Sequence, residues 1–163
     1  MTGTEILREQ LMALIDGVGA HMPFDQAVAG FPAEAMNLRP PNVTYTPWHL
    51  VEHLRLTQRD ILEYITNRAY VEPRWPDDYW PAGDATATPE QWGATVDGFR
   101  ADQAAIRALV ADPETDLLAT IPGTPGHTIL REVRILGDHN AYHVGELAIL
   151  RQVTGSWPAD REG

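Results

Sequence analysis

The sequence contains no cysteine, which excludes disulfide bonds, thiolate metal ligands and a cysteine nucleophile. Any metal site must therefore draw on histidine, aspartate or glutamate. No apolar run approaches the roughly 20 residues of a membrane-spanning helix. The first ten residues lack the basic-then-apolar form of a secretory signal. We therefore expect a cytoplasmic protein that does not bind membranes.

Positive charge is also scarce in the chain. There are 12 basic residues, all of them arginine, against 23 acidic ones, and the formal net charge is −11. This balance repels phosphate backbones and anionic head groups, so we expect no nucleic-acid partner. A small molecule or another protein is the expected partner. The length of 163 residues fits one domain, spanning 1–163, with its own core.

Apolar residues recur at helical spacing in four long segments of the chain. The predicted helices run from Glu5 to about Val18, from Pro47 to about Asn67, from Pro89 to just before Asp112, and from near Thr128 to about Thr154, with a short further helix over 24–30. Thr46 and Thr88 each precede a proline, which is typical of a helix start. No alternating strand pattern occurs. The sequence predicts an all-α fold, an antiparallel four-helix bundle with long crossover loops of about 20 residues.

One of these loops contains an aromatic segment, Trp75 to Pro81, which we call the strap. Its prolines forbid a regular helix or an inner strand, and its aromatic rings need a surface to pack against. We therefore expect an ordered strap. It either walls the mouth of a cavity, favouring an apolar or aromatic substrate portion, or merely covers the end of the bundle.

His139 and His143 lie four residues apart on the predicted fourth helix. This spacing puts both imidazoles on one face, roughly 6 Å apart, which suits two ligands of one metal ion. Glu146 lies on the same face, one turn from His143, and is a candidate acid–base group or a partner that orients His143. Glu132 shares this face too. Asp138 points away by about 100° and is expected to be a capping or surface carboxylate rather than a general base.

The second helix offers a third ligand from His49 or His53. His53 lies nearer the apolar stripe and is preferred, while His49 is an additional ligand, a supporting group or a rim residue. A metal held by three neutral imidazoles keeps open positions, as catalytic sites do. Zinc and nickel both suit imidazole. His127 would lie roughly 18 Å along a helix axis from His139 and should not share the ion.

Three motifs together resemble the DinB/YfiT-like superfamily: Thr46 to Arg55 with its two histidines, the strap, and Asp138 to Leu147. The resemblance implies a four-helix bundle, often dimeric, that holds a divalent metal through one histidine of the second helix and two of the fourth. Here these are His53, His139 and His143. Some similar proteins are metal-dependent transferases or isomerases that use a low-molecular-weight thiol, and others resemble hydrolases.

We therefore expect a metal-dependent enzyme that activates water or a low-molecular-weight thiol for transfer or hydrolysis on a small molecule. Zinc or nickel is the expected metal, and a homodimer is the expected assembly. One alternative is a non-catalytic, stress-associated bundle protein in which the ion is structural. A second alternative has no metal, with the histidines joined by water or carboxylates.

Overall fold

The computed structural model describes residues 2–159, and the regular elements in this range are all helical. They are α1 (Gly3–Ile15), α2 (Phe24–Val28), a 3-10 turn (Ala33–Ala35), α3 (Pro47–Thr66), α4 (Pro89–Ala111) and α5 (Ile129–Thr154). The predicted all-α class is confirmed. Met1 and residues 160–163, which the predicted single domain includes, lie outside the described residues. Across residues 2–159, none of the helices is long and apolar enough to cross a bilayer.

The ends of the three longest helices lie within one residue of their predicted positions. Their starts follow threonine caps at Thr46, Thr88 and Thr128, whose hydroxyls each accept a backbone N–H from the first turn. Helix α5 ends at Gly155, whose φ of 64° is the left-handed conformation that glycine adopts without strain. Local side-chain chemistry therefore sets these boundaries.

Helix α1 is shifted toward the N-terminus relative to the prediction of Glu5 to Val18. It begins at Gly3 because Thr2 and Glu5 form a reciprocal capping box, which the apolar periodicity does not reveal. It ends at Ile15 because Gly17, at a φ of 66°, turns the chain out of the helix. Apolar spacing alone therefore misplaces both ends of this helix.

Helix α3 packs against α4 and α5, and α1 packs against the same two helices. The buried apolar residues form two clusters, and both α3 and α5 contribute to each of them. Between these contributions the two helices carry polar residues: Thr57, Gln58, His139 and Asn140. Gln58 is fully buried and bonds to both Asn140 and the carbonyl of Phe99. The seam between α3 and α5 thus contains a polar layer inside an otherwise apolar core.

Candidate metal centre

Three imidazoles converge at this polar layer, one from α3 and two from α5. One ring nitrogen from each of His53, His139 and His143 lies within 4.8 Å of the others. The Nε2 atoms of His53 and His139 are 3.1 Å apart. His53 is only 1% exposed, and the other two rings are half-buried. The structure therefore brings together the three histidines that the sequence singles out.

The other nitrogen of each ring, Nδ1, contacts an oxygen atom. The distances are 2.8 Å from His53 Nδ1 to the carbonyl of Tyr79, 3.4 Å from His139 Nδ1 to Thr57 Oγ1, and 2.6 Å from His143 Nδ1 to Glu146 Oε2. A carbonyl or carboxylate oxygen can only accept, so the rings of His53 and His143 carry their proton on Nδ1. The Thr57 hydroxyl donates to the carbonyl of His53 at 2.9 Å, and its lone pairs are free to accept from His139. When His139 donates its Nδ1 proton to this hydroxyl, all three Nε2 atoms are left with a lone pair.

This arrangement fits a divalent cation. The Nε2 atom of His53 has no proton to donate, and when His139 carries its proton on Nδ1 two lone pairs face each other at 3.1 Å; with its proton on Nε2, His139 would instead donate to His53. Two lone pairs at this distance repel, and a cation between them removes the repulsion. Two nitrogens bound about 2.05 Å from a tetrahedral zinc ion would be ~3.3 Å apart. Neutral imidazole nitrogens also suit zinc and nickel.

The electrostatics of the site favour neutral rings. Burial, together with a smaller contribution from the nearby His143, lowers the pKa of His53 to about 4, although the hydrogen bond to the carbonyl of Tyr79 acts in the opposite direction. Burial lowers the pKa of His139 to about 4 as well, with contributions from His143 and His53. Both rings are therefore neutral at pH 7, and a metal ion has no proton to displace from them.

The strap packs directly on the histidines. The ring of Trp80 stacks on His53, with centroids 3.8 Å apart and planes 8° from parallel, while the carbonyl of Tyr79 holds the ring edge. Trp75 lies 6.4 Å from the same ring and is largely exposed. The strap is therefore ordered over the site. It contacts His53 through a ring stack on one face and a hydrogen bond to Nδ1.

A cavity of about 390 Å³ opens beside the three histidines. Its other walls are aromatic, aliphatic and polar: Thr57, Asp60, Ile61, Trp75, Tyr79, Trp80, Glu132 and Ile135. Glu132 is buried and paired with Arg131, and Asp60 accepts hydrogen bonds from two tyrosines. Among the lining residues, only the histidines have basic side chains. The cavity can hold a small molecule with an apolar portion, and its carboxylates disfavour anionic groups away from the histidines.

Trp80 also lines a second, larger groove of about 650 Å³, together with Tyr45, His49 and the strap prolines. None of the three clustered histidines lines this groove. The three clustered histidines therefore face the smaller cavity, although Trp80 of the strap lines both.

His49 is not at the rim, where one interpretation of the sequence placed it, since it is only 2% exposed. Its Nδ1 accepts the backbone N–H of Thr46 at 3.4 Å, and its Nε2 donates to the carbonyl of Ala85 at 2.8 Å. His49 occupies the third position of α3, where glutamate or glutamine completes a capping box. Both of its ring nitrogens are used in these bonds, and it lies outside the group of three.

The remaining residues singled out from the sequence lie around the site. Glu146 contacts His143, as described, and Asp138 is exposed and pairs with Arg134 at 2.6 Å. His127 bonds to the hydroxyl of Tyr64 at 2.7 Å and lies outside the group of three.

Three contacts of the site were not predicted. Thr57 lies one turn after His53 on the same helix face, so helical spacing could have indicated its contact with His139. The carbonyl of Tyr79 and the stacking of Trp80 have no comparable signal, because both depend on where the strap crosses α3.

The sequence model of the DinB superfamily matches residues 18–147. The matched range contains most of the chain and includes all three clustered histidines, the strap and Glu146. Neither a curated protein nor a solved structure matches the chain. The family match alone covers well over half of the sequence, and the chain therefore belongs to the DinB superfamily.

Proposed function

We propose that this protein is a metal-dependent enzyme in which Nε2 of His53, His139 and His143 holds a divalent ion, zinc or nickel. The ion would activate water or a low-molecular-weight thiol for transfer or hydrolysis on a small molecule. The observation that carries the proposal is the convergence of three imidazole nitrogens within 4.8 Å of one another beside an open cavity, with the Nε2 atoms of His53 and His139 3.1 Å apart. A three-histidine set with an adjacent cavity is typical of catalytic metal sites.

The metal would supply a lowered pKa for a bound water or thiol, so that a nucleophile forms near neutral pH. The protein residues would orient and enclose the reactants. Glu146 Oε2 holds the Nδ1 proton of His143, while Trp75 and Trp80 offer surfaces for an apolar substrate portion. Asp60 and Glu132 also line the cavity and make it unfavourable for anionic groups away from the histidines.

The proposed framework is a single domain, an antiparallel four-helix bundle with long crossover loops. The packing of α1 and α3 each against both α4 and α5 supports this arrangement. The long connections 67–88 and 112–128 support it as well, because they leave room for a chain reversal between successive long helices.

We also propose a homodimer formed through α5. Three large apolar side chains of this helix, Tyr142, Ile149 and Val153, are exposed. Their spacing places them within about 40° of one another around the helix axis. Gly145 lies between them, and nothing is within 4 Å of the position its Cβ would occupy. This face can therefore approach another helix closely.

The first experiment measures the metal content of protein purified without a histidine tag. We expect about one zinc or nickel ion per chain, and its loss in His139→Ala. His127→Ala is the matched control, since it removes a histidine outside the group and should leave the ion in place. Less than roughly 0.2 ion per chain, with no gain on adding zinc or nickel, would reject a metal site.

The second experiment separates an enzyme from a protein with a structural ion. Loaded wild-type protein and His139→Ala are tested against thiols with a panel of electrophiles, and against a panel of esters and amides. We expect the loaded wild type to turn over a substrate only when the ion is present. We expect His139→Ala to stay folded and to lose this turnover. Loss of folding in His139→Ala, without turnover by the wild type under any condition, would favour the structural ion.

A further inference from the structure

Three groups of Tyr79, its backbone carbonyl, its side-chain hydroxyl and its backbone N–H, each form a hydrogen bond. Its carbonyl accepts the Nδ1 proton of His53 at 2.8 Å, its hydroxyl donates to Asp60 Oδ2 at 2.8 Å, and its N–H donates to the carbonyl of Pro76 at 3.0 Å. The last bond closes a turn within the strap. The first two bonds both connect the strap to α3, because His53 and Asp60 belong to that helix.

Asp60 follows His53 by seven residues, which is two helical turns, so both side chains leave the same face of α3. Its second oxygen, Oδ1, accepts the hydroxyl of Tyr70 at 2.7 Å. Burial raises the pKa of Tyr70 and of Tyr79, and the bond to Asp60 raises each of them further. Both phenols therefore stay protonated and act as donors across the whole physiological pH range.

Helix α3 thus forms hydrogen bonds with Tyr79 of the strap through two residues, His53 and Asp60, that lie two turns apart. The carbonyl of Tyr79 decides the proton position on His53, because a carbonyl only accepts and so selects the ring with a free Nε2. The hydroxyl bond to Asp60 ties the residue that carries this carbonyl to α3. A strap released from Asp60 would let the carbonyl move, and the ring of His53 could then turn or place its proton on Nε2.

We propose that the Asp60–Tyr79 bond is a positioning device that keeps the Nε2 lone pair of His53 available and aimed at the ion. This inference rests on the proposed function, in which His53 is a metal ligand. It makes Tyr79 and Asp60 positioning residues, which act on the metal through His53. Loss of a partner that orients a ligand typically weakens metal binding by 10–100-fold.

Two matched variants test the proposal, since each removes one phenolic hydroxyl from Asp60. Tyr79→Phe frees the strap at the residue that carries the carbonyl, whereas Tyr70→Phe leaves that residue anchored. Zinc affinity is measured by competition with a chromophoric chelator. We expect roughly 10-fold weaker binding for Tyr79→Phe, and a change of less than about threefold for Tyr70→Phe.

The second measurement uses the metal-free proteins and needs no activity. Nitrogen-15 spectra of the histidine rings report which nitrogen carries the proton. We expect His53 protonated on Nδ1 in the wild type and in Tyr70→Phe, and a mixture of the two tautomers in Tyr79→Phe. A purely structural role for the hydroxyl would change thermal unfolding and leave this tautomer ratio as it is.

An unchanged His53 tautomer in Tyr79→Phe, or equal effects of the two variants on zinc affinity, would overturn the inference. Failure of the proposed function looks different. In that case the wild type binds neither zinc nor nickel, while the tautomer ratio of metal-free Tyr79→Phe still shows whether the bond to Asp60 orients His53.

Discussion

Glu146→Gln should weaken zinc binding while leaving the fold intact, because the carboxylate acts on the metal through His143. The bond from His143 Nδ1 to Glu146 Oε2 is 2.6 Å long, and the two side chains are 13% and 27% exposed. Water therefore screens this pair less than an ordinary surface ion pair, and the hydrogen bond is charge-assisted. A carboxylate on Nδ1 raises the electron density that Nε2 offers to a cation.

The expected loss follows from this geometry. Removing a partner of a ligating histidine costs about 10–100-fold in metal affinity, which corresponds to about 1.4–2.8 kcal/mol. Glutamine keeps an oxygen that can accept the Nδ1 proton and removes only the charge, so Glu146→Gln should lie near the tenfold end. Glu146→Ala removes the acceptor too, which frees the ring to change tautomer, and should lie nearer the hundredfold end.

The assay is a zinc titration in competition with a chromophoric chelator, combined with urea unfolding of the metal-free proteins. Asp138→Asn is the control, since it removes one negative charge from the same helix at an exposed position, where Asp138 pairs with Arg134. We expect its zinc affinity to stay within about twofold of the wild type. Equal losses for Glu146→Gln and Asp138→Asn would show that net charge matters and that contact with His143 does not.

Three further predictions concern the framework. Gly137→Ala should destabilise the protein by about 1–3 kcal/mol in urea unfolding, because its Cβ would lie 2.3 Å from Leu14 Cγ, whereas Gly93→Ala, with nothing within 4 Å, should not. Metal-free protein should lose stability as the pH falls from about 6.5 toward 4, since the lowered pKa of His53 means that the unfolded chain binds more protons; a flat urea midpoint over this range contradicts the assignment. Ile149→Glu should convert the proposed dimer to monomer in sedimentation; a wild-type monomer rejects that interface.

The sequence was sufficient for the ends of the three longest helices because their signals are local. Threonine followed by proline marks the starts of α3 and α4, and Gly155 marks the end of α5. Helical spacing was also sufficient to place His139 and His143 on one face, where the structure has them. Each of these features is decided within a few residues of chain, so no knowledge of the packing is needed.

The strap shows why its own contacts with the site could not be predicted from the sequence. Its contacts join residues from different segments, as between Tyr79 and His53, and depend on the path of a proline-rich loop. No periodic pattern describes such a path, and a backbone carbonyl carries no side-chain identity that a sequence could reveal. The aromatic content of the strap indicated that it packs on something. It did not indicate that Trp80 stacks on His53.

The two histidines of α3 show that spacing alone does not select a ligand. His49 and His53 are four residues apart and both are buried, yet their rings carry the proton on opposite nitrogens. His49 Nδ1 accepts the N–H of Thr46, which places its proton on Nε2, where it is donated to the carbonyl of Ala85. His53 Nδ1 donates to a carbonyl, which leaves Nε2 free. A free amide at the helix start thus commits one ring to the cap, and a strap carbonyl prepares the other for a metal.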